Sequence, residues 1–292
     1  MTITYRKALD EANKIIRKSG KESSAAKLLL LHFSRLEPNE LYLKYENTMP
    51  SSDYEAFIEA VLAHTQKNIP VQHLIGYVYF YGYKFIVNED VLIPRFETEE
   101  LVANVLMLYD EYFAGKKIDL VDIGTGSGCL AITIKKEEPE NIVAVATDIS
   151  SDALKTAELN ARNLEADIEF LTGDMLEPLN GRKFDIIVSN PPYIPESEIV
   201  DSIIYDNEPH VALFGGEDGL RFYREILFKA HIILKDKAII AFEHGYDKAE
   251  ELRSIAKHHF PNALIYTLKD MQEKDRMTFV IVGFQDKLEE SD

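Results

Sequence analysis

The chain has a single cysteine and no tryptophan in 292 residues. One thiol, Cys129, excludes an intrachain disulfide framework. A lone cysteine of this kind reads as a small core residue rather than a nucleophile. His210, His244, His258 and His259 show no ligand spacing with it or with acids, so no metal site is expected. Positive charge is scarce: 32 Lys and Arg stand against 50 Asp and Glu, for a net charge of -18. Such a chain is not built to hold nucleic acid through backbone phosphates, and no basic run offsets the deficit. Excess acid of this size serves solubility without implying a function. No apolar run approaches the roughly 18 residues of a membrane span. The N-terminus, MTITYRKALDEANK, is amphipathic and lacks the apolar centre of a signal peptide. A cytoplasmic protein with no membrane partner is expected. Internal repeats and low-complexity segments are also missing.

What is present is ordinary in bulk, 46% hydrophobic and 28% charged, and long enough for one large or two modest domains. Residues 4 to about 67 read as four helices. Tyr5, Ala8, Leu9, Ala12, Ile15 and Ile16 share a face of the first. Ala25 to Phe33 form a second and more buried one. Pro38 opens a third with Leu41 and Tyr42 inward, and Ser51 or Ser52 caps a fourth. From Val71 the pattern turns aromatic and β-branched, with Gly82 inside it, and reads as a hairpin. The expected organisation is an N-terminal helical domain over 1–70, a β-hairpin linker over 71–95 and a larger domain over 96–292.

That larger domain opens with a helix from Glu97 to Tyr112 and then alternates. Strands are expected at 118–123, 142–147, 168–171, 184–189 and 238–243, with helices at 129–136, 151–163, 218–234 and 248–258. Two strands, 263–268 and 277–282, close the chain. Alternation of this kind predicts an α/β fold with a doubly wound, mostly parallel sheet. The final two strands are too close for a crossover helix, so the last is expected antiparallel. The tail from Gln285 is charged and is expected to fray.

Two stretches carry chemistry. Phe184 to Ser189 is an apolar, β-branched strand that breaks into Asn190-Pro191-Pro192-Tyr193. Neither proline can donate to a ladder, and each fixes its own φ. A short polar and aromatic tetrad is thus held stiffly at the carboxyl end of a strand, where open α/β sheets place ligands. The Asn190 side chain and the Pro191 carbonyl offer fixed acceptors, and Tyr193 a flat face. That set suits a planar NH2 group. An amide nitrogen is a poor nucleophile because its lone pair is delocalised. Accepting both its protons returns electron density and aims the lone pair. The same residues, taken alone, also fit a strand with a proline-rich turn.

The second stretch, Asp122-Ile-Gly-Thr-Gly-Ser-Gly128, lies between the first strand of the alternation and its helix. Gly124, Gly126 and Gly128 let the backbone pass close to a ligand. The dinucleotide fingerprint wants its third glycine one position later, where Cys129 stands. Asp148 closes the next strand, where a carboxylate accepts from a ribose diol. Loop and acid together indicate an adenosine-type cofactor. The altered spacing argues against nicotinamide and for S-adenosylmethionine. Asp174, at the end of the third strand, is placed to accept from the adenine amine, with Met175 against the ring.

Together these motifs resemble class I S-adenosylmethionine-dependent methyltransferases that act on planar nitrogen. Further blocks narrow the resemblance: residues 70–76 (PVQHLIG), 91–98 (VLIPRFET), 207–213 (NEPHVAL), 215–220 (GGEDGL) with Phe222-Tyr223, and 243–246 (EHGY). They resemble the HemK/PrmC family, which methylates N5 of the glutamine in the Gly-Gly-Gln motif of peptide-chain release factors. The resemblance covers nearly the whole chain and is weakest over 1–67. It implies that Asp122, Gly124, Thr125, Gly126, Ser127, Gly128, Asp148 and also Asn190 hold S-adenosylmethionine, with S-adenosylhomocysteine as product. It implies that Thr98 sits near the cofactor's methionine end. Asn190, Pro191, Pro192 and Tyr193 would bind the glutamine, and Asn190, Pro191 and Tyr193 would carry the chemistry. The N-terminal helices would dock the release factor, on a monomeric enzyme. Two departures stand out: Met175 where an aromatic or leucine is usual, and residues 270–276, which lack the family's glycine. The rival readings are an adenine-N6 methyltransferase on DNA or RNA, which shares the NPPY tetrad alone, a non-catalytic cofactor-binding adaptor, and a nicotinamide oxidoreductase, which the glycine spacing opposes.

Overall fold

The computed structural model describes residues 3–284, so the expected frayed tail from Gln285 lies outside the described residues. The chain divides into two compact units. One holds the described residues up to Tyr77 with Val200–Asn207, the other Val78–Ile199 with the described residues from Glu208 on. Among the described residues no helix is long and apolar enough to cross a membrane.

The first unit is helical: α1 (Tyr5–Lys18), α2 (Ser24–Ser34), α3 (Pro38–Leu43), α4 (Ser51–Gln66) and α5 (Val71–Ile75). Tyr5, Ala8, Ala12 and Ile16 repeat at helical spacing and bury one stripe of α1. The Thr4 hydroxyl caps that helix by accepting from the Lys7 N–H at 3.4 Å. In α3, Pro38 at the first turn and a Glu37/Glu40 capping box stabilise a helix of only six residues. Leu41 is buried there, but Tyr42, expected inward, is 59% exposed. Adjacent helical positions point about 100° apart, so a short helix cannot turn both inward. Nor does a serine cap α4: Pro50 occupies the cap position, and Ser51 is already helical. The stretch after Pro70 forms α5 before any strand begins, closed by Gly76 at φ 78°. Val71, Leu74 and Ile75 of α5 join the core built by Leu29, Leu30, Phe57 and Val61.

The second unit starts with a hairpin of β1 (Tyr77–Phe80) and β2 (Tyr83–Ile86), of which Tyr77 itself falls in the first unit, followed by α6 (Phe96–Phe113). Alternation follows through β3 (Ile118–Ile123), α7 (Cys129–Glu137), β4 (Ile142–Asp148), α8 (Ser151–Asn163), β5 (Ile168–Thr172) and β6 (Phe184–Ser189). A one-turn α9 (Ser202–Tyr205) belongs to the first unit. Then come α10 (Arg221–Ile233), β7 (Leu234–Glu243), α11 (Ala249–His259), β8 (Leu264–Lys269) and β9 (Asp275–Val282). The seven strands run in the order β5-β4-β3-β6-β7-β9-β8. Pairing is parallel up to β7, and β9 lies antiparallel to both of its neighbours. The expected doubly wound, mostly parallel sheet with an antiparallel last strand is the observed one.

Each central strand buries both faces, which explains its continuous apolar run. Leu120, Ile186 and Ile239 pack with α6 and α7 on one side. Their neighbours Val121, Ile187 and Ile240 pack with α10 and α11 on the other. β7 begins earlier than the apolar run suggests, through an irregularity that pairs Phe184 with Leu234 and Ile186 with Ile239. Strand order reverses between β3 and β6, so their carboxyl ends open a crevice at the switch point.

Candidate active site

A cavity occupies that crevice. Its walls include Thr98, Gly124 to Ser127, Asp148, Asp174, Met175, Asn190, Pro192 and Phe222. The glycine loop is pinned from below. The N–H groups of Gly124 and Thr125 both donate to the Thr147 carbonyl at 2.9 Å. Gly126 N–H donates to Asp148 Oδ2 at 2.8 Å, and Ser150 N–H to Oδ1 at 2.9 Å. Asp148 is therefore both wall and strut. Gly128 does not line the cavity. It caps α7 at φ 83°, and a Cβ there would lie 2.7 Å from Ile132 Cδ1. Its role is close packing in a left-handed turn.

Asp122 lies beneath the loop, fully buried. Its Oδ2 accepts from Thr125 Oγ1 at 2.6 Å and from Ala131 N–H at 3.3 Å. Among the described residues Oδ1 has no hydrogen-bond partner. Burial, helped by the nearby Asp148 charge, pushes this carboxyl up to about 7. A carboxyl raised in the folded state makes that state bind more protons than the unfolded one. Its contribution is thus fully present below the ordinary value near 3.8 and is lost as pH climbs to about 7. Asp122→Asn is expected to flatten this part of the profile. Urea denaturation of both proteins at several pH values checks it, and parallel pH profiles would refute it.

The tetrad closes the other wall. The Asn190 amide donates to Thr98 Oγ1 at 3.3 Å. Thr98 is a buried residue near the start of α6. Tyr193 packs against the α10 side of the core, its hydroxyl pushed up to about 12 by burial. Neither Tyr193 nor Pro191 is part of the cavity wall. The backbone of the tetrad is buttressed by a glycine turn. A Cβ on Gly215 would collide with the Pro192 carbonyl, and one on Gly219 with the Tyr193 carbonyl. Gly219 also sits at φ 78°. Gly219→Ala is expected to shift the tetrad and lower kcat about tenfold or more, with cofactor affinity within twofold. Steady-state kinetics beside cofactor titration tests this, and unchanged kcat would remove the buttress.

Two side chains went unread in the sequence. Glu208, whose side chain is 1% exposed, holds the 91–95 segment. It accepts from Ile93 N–H at 3.0 Å and from Arg95 Nη2 at 2.6 Å. Glu243, at the end of β7, is buried beside Thr98 and Asn190, with Oε2 unpartnered among the described residues. The blocks at 207–213 and 243–246 contained both residues, but no local pattern marks an acid whose partners are more than fifty positions away.

The methyltransferase small domain family model matches residues 101–212, and the PrmC N-terminal domain model matches residues 7–76. The chain is 39% identical over 284 residues to the release factor glutamine methyltransferase of Bacillus subtilis (strain 168), covering 96% of this chain and 98% of that one. It is 38% identical over 276 residues to the protein of the same name from Bacillus cereus, covering 93% and 97%. The chain belongs to the release factor glutamine methyltransferase family. Among solved structures, a methyltransferase from Pyrococcus furiosus aligns with a TM-score of 0.50 at 16% identity, over 80% of this chain and 99% of that one. The catalytic domain of hMettl16 in complex with MAT2A 3'UTR hairpin 6 aligns at 0.53 and 13%, over 80% and 82%. These two likenesses concern the fold alone.

Family membership makes the chain a methyltransferase with S-adenosylmethionine as its cofactor. The cavity's residues fit that molecule. Asp148 presents a carboxylate at the cavity wall, held by two backbone N–H groups, a group able to accept from a diol. Asp174 beside Met175 and Phe222 combines an acceptor with apolar surface, which suits an aminopurine ring.

Proposed function

We propose that this family member methylates the side-chain amide nitrogen of the glutamine in the Gly-Gly-Gln motif of release factors. S-adenosylmethionine supplies the methyl group from its sulfonium. The chain's own residues do the positioning. Thr98 takes an Asn190 N–H, which turns the Asn190 amide and leaves its oxygen for the cavity. That hydrogen bond, between two residues of the cavity wall, is the observation that carries the reading. With the Pro191 carbonyl, the Asn190 oxygen provides two acceptors for the two protons of a glutamine NH2. Holding the amide in line with the donor can lower the barrier by about 7–11 kcal/mol. No strong base is then required before attack. Thr98, Asp148, Asp174 and Met175 are assigned to the cofactor, and Asn190 to Tyr193 to the glutamine. The first, helical unit is assigned to docking the release factor, and exposed Tyr42 and Leu43 on α3 are its contact candidates. The enzyme would work as a monomer in the cytoplasm and act on translation termination. A net charge of -18 opposes the adenine-N6 alternative.

The test is transfer of label from S-adenosylmethionine to an unmodified release factor, to its Gln→Ala variant at the Gly-Gly-Gln site, and to bulk DNA and RNA. Label on the intact factor alone is expected. Label on nucleic acid would overturn the reading.

A further inference from the structure

The buried acid at the end of β7 has no place in the chemistry described so far. Glu243 follows Phe242, which pairs with Ser189 in the β6–β7 ladder. In that parallel register Glu243 stands beside Asn190. Its carboxyl neighbours the Thr98 hydroxyl and the Asn190 amide, and its Oε2 has no hydrogen-bond partner among the described residues. Its backbone carbonyl is fixed by the Tyr223 hydroxyl at 2.7 Å. The residue is 2% exposed.

An asparagine amide has two N–H donors at one end and one oxygen at the other. One donor meets Thr98 Oγ1 at 3.3 Å, and the buried Glu243 carboxyl next to it, its Oε2 without a partner among the described residues, is an acceptor open to the second. Thr98, accepting from Asn190, keeps its own hydroxyl proton free to donate, and the Glu243 carboxyl is a neighbouring acceptor. Thr98 and Glu243 together can thus take both Asn190 donors, which leaves the amide oxygen for the substrate. A flip of the amide would aim its oxygen at an acceptor carboxylate, a like-with-like contact in a water-poor site. We infer that Glu243 is a positioning residue, which fixes the Asn190 amide with its oxygen toward the substrate glutamine and polarises it through Thr98. This rests on the proposed function for the identity of the substrate, and on geometry alone for the orientation of Asn190.

Burial raises the Glu243 carboxyl to about 7, with Thr98 and Arg276 pulling the other way. The groups that face it are Arg276 from β9, Glu97 and Thr98 from α6, Asn190 and Tyr193 after β6, Tyr223 from α10 and Cys129 from α7. The ionised form is the stronger acceptor. The polarisation of Asn190 should thus increase as pH rises through that value.

The experiment has two arms. In the first, Glu243→Gln, similar in size but bringing a donor, is expected to lower kcat for release-factor methylation about tenfold. S-adenosylhomocysteine affinity and KM should stay within twofold. In an Asn190→Ala background the same change should have less than a twofold effect, because its action runs through Asn190. Equal losses in both backgrounds, or no loss in either, would overturn the proposal. The second arm needs no substrate. In protein labelled with 15N-asparagine, the Asn190 side-chain amide signals are assigned by their disappearance in Asn190→Ala. They are expected to shift with pH around a midpoint near 7 and to stay flat in Glu243→Gln. A flat wild-type profile would overturn the proposal even if Glu243→Gln does not fold. If the wild type transfers no label to release factor, the proposed function fails, and this second arm still decides the role of Glu243.

Discussion

Asn190→Ala is expected to lower kcat by about 10²–10³-fold, the range seen when one preorganised polar contact to a reacting group is removed. The substitution deletes the oxygen proposed to hold the substrate amide and leaves Thr98 without the donor that now lies 3.3 Å from it. A substrate amide held only by the Pro191 carbonyl could rotate about that single contact. The effect should fall on turnover rather than on cofactor affinity, because the glycine loop and Asp148 on the opposite wall are untouched. Single-turnover methyl transfer measured beside S-adenosylhomocysteine titration separates the two. Equal loss of turnover and cofactor affinity would reassign Asn190 to the cofactor.

Asp148→Ala should do the reverse, weakening S-adenosylhomocysteine binding about 100-fold. A hydrogen bond to a charged group contributes about 1.5–3 kcal/mol, and Asp148 is proposed to make such bonds to the ribose diol. It also ties down Gly126 and Ser150, at 2.8 and 2.9 Å. Burial holds its carboxyl above the usual range, opposed by those same backbone N–H groups. Asp148→Asn, which keeps one acceptor oxygen for the Gly126 N–H, should lose less. Calorimetric titration gives both affinities directly. An alanine variant with unchanged affinity would mean that the acid serves only the loop.

Asp148 and Asn190 are legible in the amino-acid sequence because their signals are local. Asp148 ends an apolar strand after a glycine loop, and Asn190 precedes two prolines after another. The sheet is legible for a similar reason: its central strands are buried on both faces, so each is a continuous apolar run broken by helices of different period. What escapes depends on neighbours distant in sequence. Gly215 and Gly219 read as turn residues until the Pro192 and Tyr193 carbonyls are found against them. Glu243 reads as a strand end until register sets it beside Asn190. Glu208 looks like a surface acid until Ile93 and Arg95 close over it. Tyr42 and the helix at Val71–Ile75 are missed at a finer scale, where one turn of helix carries too few residues for periodicity to choose a face or even a structure.

The place of β9 in the sheet bears on how the enzyme comes to life. β9 is the last strand among the described residues, yet it lies between β7 and β8 rather than at an edge. During synthesis β7 therefore has no partner on that side, and β8 has no sheet to join, until Asp275–Val282 has left the ribosome. Arg276, which faces Glu243 and Tyr193, arrives with the same strand. The glycine loop, between β3 and β4, leaves the ribosome early, but the wall proposed to grip the amide is completed only after β9 has emerged. Premature termination upstream of this strand would thus yield a protein that has the glycine loop but lacks Arg276 beside Glu243 and Tyr193.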